Sequence, residues 1–341
     1  MSKFLLRFFV FIIILKTFDI LLSSFFTWSL QAIRYLDDDY GSINRMYNGG
    51  INADIIILGS SRTYLHINPE VVQTKTGLTT WNLAMDGTNF DQHKFTLEEY
   101  LLHNRTPKIV IFEADLTTLD KDSLRFKKEF FLPYINYSNH TLELFTQSWE
   151  DKLYYTFFSS APYKQQIPTV LFNYKIVLDG IRNGGYTFET LTLNTLFKKD
   201  DGDFVYINGA ALRKGQISEE LPRSLPISSP INTVIFSGKY RLQEFEELAN
   251  LAERDNFLLV LVTPIWLNGS IEESQKQSIV DLYQNIASNY ENTYFLDYSY
   301  DELLSNDLSF WLNIGHLNFD GANVFSDKLS KDILDILSAD Q

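Results

Sequence analysis

The chain has 341 residues, 45% of them apolar, enough for one large α/β domain with an insertion or for two modest domains. Its net charge of −14 lacks the basic surface that a nucleic-acid partner requires, and leaves neutral polymers and small molecules open as partners. The absence of cysteine removes disulfides, thiol nucleophiles and thiolate metal sites, and no HExxH, Walker A or GxGxxG pattern occurs, so neither a metal nor a cofactor is expected.

Residues 4–28, FLLRFFVFIIILKTFDILLSSFFTW, have the length of about 20 apolar residues that crosses a bilayer as a helix. Arg7, Lys16 and Asp19 interrupt the run. Arg7 can snorkel to the interface, and Lys16 and Asp19, three apart on one helical face, can pair. A cleaved signal peptide is the competing reading, but no A-x-A-like site follows Phe8–Leu15. Residues 1–29 are therefore expected to be a single-pass anchor. Lys3 and Arg7 precede the run and Asp37-Asp38-Asp39 follows it, which places the rest of the chain outside the cytoplasm, facing periplasm or cell exterior. Residues 30–52, with the turn-rich YNGG at 47–50, read as a linker.

From residue 53 to 341, strands and helices alternate. Short apolar runs predict strands at Asp54–Leu58, Thr80–Ala84, Lys108–Glu113, Phe257–Val262 and Tyr294–Asp297, as in a parallel sheet buried on both faces. Helices are predicted after Pro69, over 91–103, over 240–254 with Leu242, Phe245, Leu248 and Leu251 on one face, over 272–290, and over about 321–338 with Asp320 as N-cap. The alternation implies a three-layer, doubly wound α/β sheet with right-handed crossovers. Residues 117–239 break it and read as an inserted lid or subdomain. Its aromatic stretches, FFLPYINY at 130–137 and LYYTFFSSAPY at 153–163, suit either a sugar-stacking platform or ordinary core.

Ligands of doubly wound folds gather at the carboxyl ends of the strands. Three loops there carry polar residues: Gly59-Ser60-Ser61, WNLAMDGTN at 81–89, and NIGHLNFDGA at 313–322. A serine hydroxyl is a weak nucleophile that needs an adjacent base, and histidine is the side chain poised for that near neutral pH. Ser61 is the candidate nucleophile and His316 the candidate base. The amides of Ser61 and Gly87 suit an oxyanion, since glycine lets backbone approach a substrate closely. Ser60 reads as a turn residue, Arg62 as the partner of a carboxylate, and His66 as structural. Alone, Ser61 reads first as a polar residue capping the turn that follows it, and the other loops together make it a nucleophile.

Taken together, the three loops resemble the blocks of the SGNH (GDSL-like) hydrolase superfamily. Gly59-Ser60-Ser61 aligns with its G-D-S, Asn82 and Gly87 with its N-x-x-x-x-G, and His316, Asn318 and Gly321 with its D-x-x-H-x-N-x-x-G. The variant with GSS and HLNxxGA is similar to membrane-anchored branches linked to O-acylation of cell-surface polysaccharides, such as alginate acetylation proteins and DltD. The resemblance implies an SGNH/flavodoxin-like sheet, and Ser61 and His316 as catalytic residues with Asn313 in the place of the triad acid. It also implies Asn82, Gly87 and Asp115 as oxyanion or substrate-binding residues. Two positions depart from the pattern. IFEADL at 111–116 lacks G-x-N-D, so Asp115 or Ala114 falls where an asparagine donor is expected, and Asn313 replaces an aspartate.

Two functions follow as expectations. The first is an extracytoplasmic serine esterase or acyltransferase acting on O-acyl groups of a cell-envelope glycan, with a polytopic acyl-transferring protein as membrane partner. The second is a tethered binding or assembly factor on the same scaffold without catalysis.

Overall fold

A computed structural model describes residues 2–31, 39–115, 126–171, 204–216, 239–270 and 273–339, together with positions 118, 174 and 182. The five expected strands are present: β1 (Ile55–Leu58), β2 (Thr80–Asn82), β3 (Ile109–Glu113), and, beyond the hairpin strands β4 (Phe204–Ile207) and β5 (Ala210–Arg213), β6 (Leu258–Thr263) and β7 (Thr293–Asp297). They form one parallel sheet in the order β2-β1-β3-β6-β7. The order reverses between β1 and β3, where ligand crevices open in such sheets. A short antiparallel pair, β8 (Trp311–Asn313) and β9 (His316–Leu317), lies outside it.

The strands read as continuous apolar runs because both faces are covered. Successive side chains alternate between two cores. Ile56, Leu58, Val110, Phe112, Leu259 and Leu261 share one cluster. Ile55, Ile57, Ile109, Ile111, Val260 and Val262 share the other. The first core is closed by α1 (Ser2–Gln31), α2 (Asp39–Tyr47), α5 (Phe90–His103), α8 (Lys239–Asp255) and α9 (Glu273–Ala287). The second is closed by α4 (Pro69–Thr76) and α10 (Phe319–Ala339), whose Phe325, Leu329, Ile333 and Ile336 recur at helical spacing. Between β1 and α4 sits the six-residue helix α3 (Ser61–His66).

Helix starts follow capping chemistry. Asn68 accepts from the Glu70 amide at 3.0 Å with Pro69 behind it, and Asn89 caps α5 through the Gln92 amide at 3.1 Å. The last helix corrects the expectation for Asp320. That residue lies inside the first turn, and Asn318 is the cap, its Oδ1 accepting from the Gly321 amide at 3.0 Å. The carboxylamide one residue before the helix reaches the free amides that a residue already within it cannot.

The linker read at 30–52 is also corrected where the chain is described; 32–38 lie outside the described residues. Residues 39–47 form α2, with Ile43 and Met46 fully buried and Tyr47 stacked on Tyr134 at 4.1 Å. The Asn44 amide nitrogen donates to the Leu30 carbonyl at 2.8 Å, and its oxygen accepts from Tyr134 at 2.8 Å, so α2 rivets the end of α1 to the domain. The polar residues that suggested a linker are buried within α2, Ser42 and Asn44 among them, so the polarity of Asn44 serves hydrogen bonding inside the fold rather than a solvated connection.

The excursion between β3 and β6 is described in part. It holds a 3-10 helix at Lys128–Tyr134, α6 (Asn139–Phe145), α7 (Trp149–Phe157), a second 3-10 helix at Ala161–Gln166, and the β4–β5 hairpin. Most of 172–203 and all of 217–238 lie outside the described residues. Of its aromatics, Phe131, Tyr134, Phe145 and Tyr163 are core, whereas Trp149, Tyr154, Phe157 and Phe158 are exposed. Helix α1 has 30 residues, and its Phe26 and Leu30 are buried against the domain. No helix among the described residues is long and apolar enough to cross a membrane.

The position of Ile43 separates a core helix from a linker. Ile43→Ala is expected to cost about 2–5 kcal/mol in urea unfolding, against roughly ±0.5 kcal/mol at a solvated linker position.

Candidate active site

The turn after β1 is built on one carboxylate. Glu113, the last residue of β3, is buried beside the end of β1. It accepts from the Ser60 amide at 2.7 Å, the Ser60 hydroxyl at 2.7 Å and the Thr63 hydroxyl at 2.6 Å. A side chain at Gly59 would stand 2.3 Å from Thr63 Oγ1 and 2.5 Å from Glu113 Oε2, so only glycine fits between β1 and this carboxylate. The two serines thereby separate in role. Ser60 is buried and bound to Glu113, while Ser61 opens α3 at the sheet's edge.

Ser61 Oγ lies 2.9 Å from His316 Nε2, and His316 Nδ1 lies 3.0 Å from Asn313 Oδ1. The proton positions follow from a neighbour. The Gly315 amide donates to Asn313 at 2.9 Å, which fixes the oxygen of that carboxamide toward it. The same oxygen faces His316 Nδ1, so Nδ1 carries the hydrogen and Nε2 presents its lone pair to the Ser61 hydroxyl. The tight β8–β9 turn makes this possible by folding Asn313 back onto His316. Burial, reinforced by the Arg62 guanidinium, holds His316 down to about 4, while Asp86 pulls in the opposite direction. The imidazole is therefore neutral, and able to accept a proton, across the neutral range.

The remaining expected residues are placed differently. Asp115 is buried and its carboxylate pairs with Arg62 Nη1 at 3.1 Å. Arg62 lies across the face of Trp266, 3.2 Å from the ring centroid, which sandwiches the cation between a carboxylate and an aromatic. Asn82 is buried and fully engaged. Its amide nitrogen donates to the carbonyls of Thr63 at 3.0 Å and Ile67 at 3.4 Å, and its oxygen accepts from the Ala84 amide at 2.9 Å. Both its hydrogens brace the carboxyl-terminal turn of α3, and none is left for a substrate. Gly87 adopts a left-handed φ of +64°, and a Cβ there would meet nothing nearer than Lys127 at 4.0 Å, so its loop faces open space. Its amide takes no hydrogen bond among the described residues.

Two supports were not singled out from the sequence. Glu113 is one; a lone carboxylate closing the apolar run IVIFE is the signal that marks it. His66 is the other in its actual use. Buried at the end of α3, it accepts from the Leu317 amide at 3.1 Å and so ties the helix of Ser61 to the strand of His316. Burial, with the Arg62 guanidinium adding to it, lowers His66 well below the usual imidazole range, as that acceptor role requires. Among the described residues no group of three or more His, Asp or Glu side chains is arranged to hold a metal ion.

The Glu113 cradle gives a direct test. Gly59→Ala should cost about 1–3 kcal/mol through overpacking. Glu113→Ala should cost more, because it leaves four buried donors, the amides and hydroxyls of Ser60 and Thr63, without their acceptor, at about 1–3 kcal/mol for each left unpaired. Urea unfolding of the two variants checks the order.

No curated protein and no solved structure matches the chain significantly. One family model does, that of a protein of unknown function, DUF1574, over residues 52–302. The match runs from the strand before Ser61 through the Arg62–Asp115–Trp266 cluster and stops short of Asn313 and His316. Covering well over half of the sequence from β1 to β7, it makes the chain a member of the DUF1574 family.

Proposed function

We propose that the chain is a membrane-tethered serine esterase or O-acyltransferase on an SGNH/flavodoxin-like scaffold, acting outside the cytoplasm on O-acyl groups of a cell-envelope glycan. The observation that carries the reading is the relay Asn313 Oδ1···H–Nδ1 of His316, with Nε2 in reach of the Ser61 hydroxyl. The glycan as substrate class rests on the resemblance to SGNH O-acylation proteins.

The chemistry follows from the relay. Ser61 Oγ attacks the ester carbonyl while its proton passes to His316 Nε2. The oxyanion that forms faces the Ser61 amide, at the start of α3, and the Gly87 amide. Collapse expels the alcohol, which takes the proton back from His316 and leaves an acyl group on Ser61. Attack by water then gives hydrolysis, and attack by a sugar hydroxyl gives transfer. Asn313 orients the ring as an aspartate would but offers the imidazolium no counter-charge. With Asp115 committed to Arg62, the third oxyanion donor of the superfamily pattern is absent among the described residues, a loss worth roughly 2.7–4 kcal/mol of transition-state stabilisation.

That same shortfall favours a second reading, a binding or assembly factor that keeps the scaffold and has given up turnover. A fluorophosphonate probe separates the two. Covalent labelling of the wild type that vanishes in both Ser61→Ala and His316→Ala, with a double variant no worse than either, establishes the nucleophile and base as one unit. An unlabelled wild type that binds acylated glycan establishes the second reading.

The pH profile is distinctive. His316 must be neutral to accept the proton, so labelling should hold level as pH falls from 7 and drop to half near pH 4, rather than near the ordinary imidazole value of 6.5. The unfolded chain protonates this histidine near 6.5 and the folded one near 4, so the unfolded state binds more protons in that window. Folded stability from this group is therefore present above 6.5 and lost as pH falls toward 4. Asn313→Asp should move the acid limb upward and speed labelling, and Asn313→Ala should slow it; equal rates in all three proteins would remove Asn313 from the relay.

A further inference from the structure

Helix α1 carries two charges where its apolar surface is continuous. Phe8, Phe11, Leu15, Phe18, Leu21 and Trp28 are exposed along it, yet Lys16 and Asp19 are not left to solvent. Lys16 Nζ bonds Asp19 at 3.0 Å and donates to the carbonyls of Thr156 at 2.8 Å and Phe157 at 3.0 Å. Asp19 accepts from the amides of Ser159 and Ser160, each at 2.9 Å, and from the Ser160 hydroxyl at 2.6 Å. The ammonium thus closes the carboxyl end of α7, and the carboxylate closes the free amides of the turn beyond it.

Helix α7 itself buries none of its residues. Trp149, Leu153 and Phe157 recur every four positions, joined by Tyr154 and Phe158, and exposures of 66% for Trp149, 60% for Phe157 and 55% for Phe158 leave this stripe uncovered. Its acids, Glu150 and Asp151, are confined to the first turn, at the end away from α1's charged pair. A water-exposed helix end needs no ion pair to satisfy its terminal carbonyls and amides. A helix end in hydrocarbon does, since unsatisfied backbone groups cost several kcal/mol each there.

Length points the same way. The apolar run of α1 begins at Phe4, beside Lys3, and at about 1.5 Å per residue some 20 residues are needed for a core of about 30 Å. That reach ends near Ser23 and carries the level of Lys16 and Asp19, with residues 156–160 bonded to them, below the headgroups. The interruption that keeps α1 from being apolar enough alone is the part that α7 completes.

We infer that α7 and the turn after it enter the outer leaflet with α1 as one unit, so that the occupant of the α7 aromatic stripe is lipid. This rests on the membrane tether in the proposed function and is independent of Ser61 chemistry.

The full-length protein reconstituted in phosphatidylcholine vesicles tests it. Flotation reports α1, and the fluorescence difference between wild type and Trp149→Phe isolates Trp149. Chain-brominated phosphatidylcholine should cut that difference signal by more than half, and aqueous acrylamide should scarcely alter it. A protein that floats but whose Trp149 is quenched by acrylamide and ignored by bromine overturns the inference while leaving the tether intact. Shielding from both quenchers overturns it too, by placing protein over the stripe. Failure to float sinks the tether and the inference together, without touching the fluorophosphonate result. Phe157→Trp in the Trp149→Phe background supplies a second reporter, nearer the charged pair, for which the same outcomes hold.

Discussion

The Glu113 carboxylate is the point on which the candidate site turns. It sits where β3 ends beside β1, and four donors from the next turn close on it. Buried carboxylates cost several kcal/mol of desolvation unless hydrogen bonds replace water, and here the replacement comes from the segment that has to be shaped. Satisfying Glu113 bends the chain after Leu58, starts α3, and leaves Ser61 as the first residue whose side chain is free of the cradle. Substrate-facing geometry is thus fixed from beneath, by the sheet.

The other half of the site is fixed from the side. His66 binds the backbone next to His316, Asn82 braces the carboxyl-terminal turn of α3, and the hairpin turn at Asn208 accepts from the Asn82 backbone amide at 2.9 Å. Residues far apart in sequence are therefore locked to one short helix. Arg62 adds an electrostatic bias. A guanidinium held between Asp115 and Trp266 lowers the proton affinity of His316 and keeps it in the form that a base requires.

Much of this was legible in the chain. The five apolar runs gave the parallel sheet, because strands buried on both faces cannot alternate with polar residues. Ser61 and His316 could be named from polar loops, since a parallel sheet gathers such loops at the carboxyl ends of its strands, and Asn313 through the resemblance to the SGNH pattern. What failed to show was who satisfies whom. Asn82 and Asp115 have the right chemistry for a substrate but spend it on α3 and Arg62, a choice made by tertiary neighbours that spacing does not reveal. Likewise α2 hid behind a turn-like composition, because its polar Ser42 and Asn44 are buried beside Ile43, Met46 and Tyr47, and the partners of Asn44 come from α1 and from the excursion after β3.

The bonds of Lys16 also have a temporal side. Its carbonyl acceptors lie 140 and 141 residues later in the chain. At synthesis rates of about 5–20 residues per second, Lys16 is made roughly 7–28 seconds before Thr156 exists. For that interval the two charges have only each other, and whatever receives the nascent helix must tolerate them bare. The final seating of α1 is therefore a late event, completed when the excursion after β3 arrives to take the ion pair over.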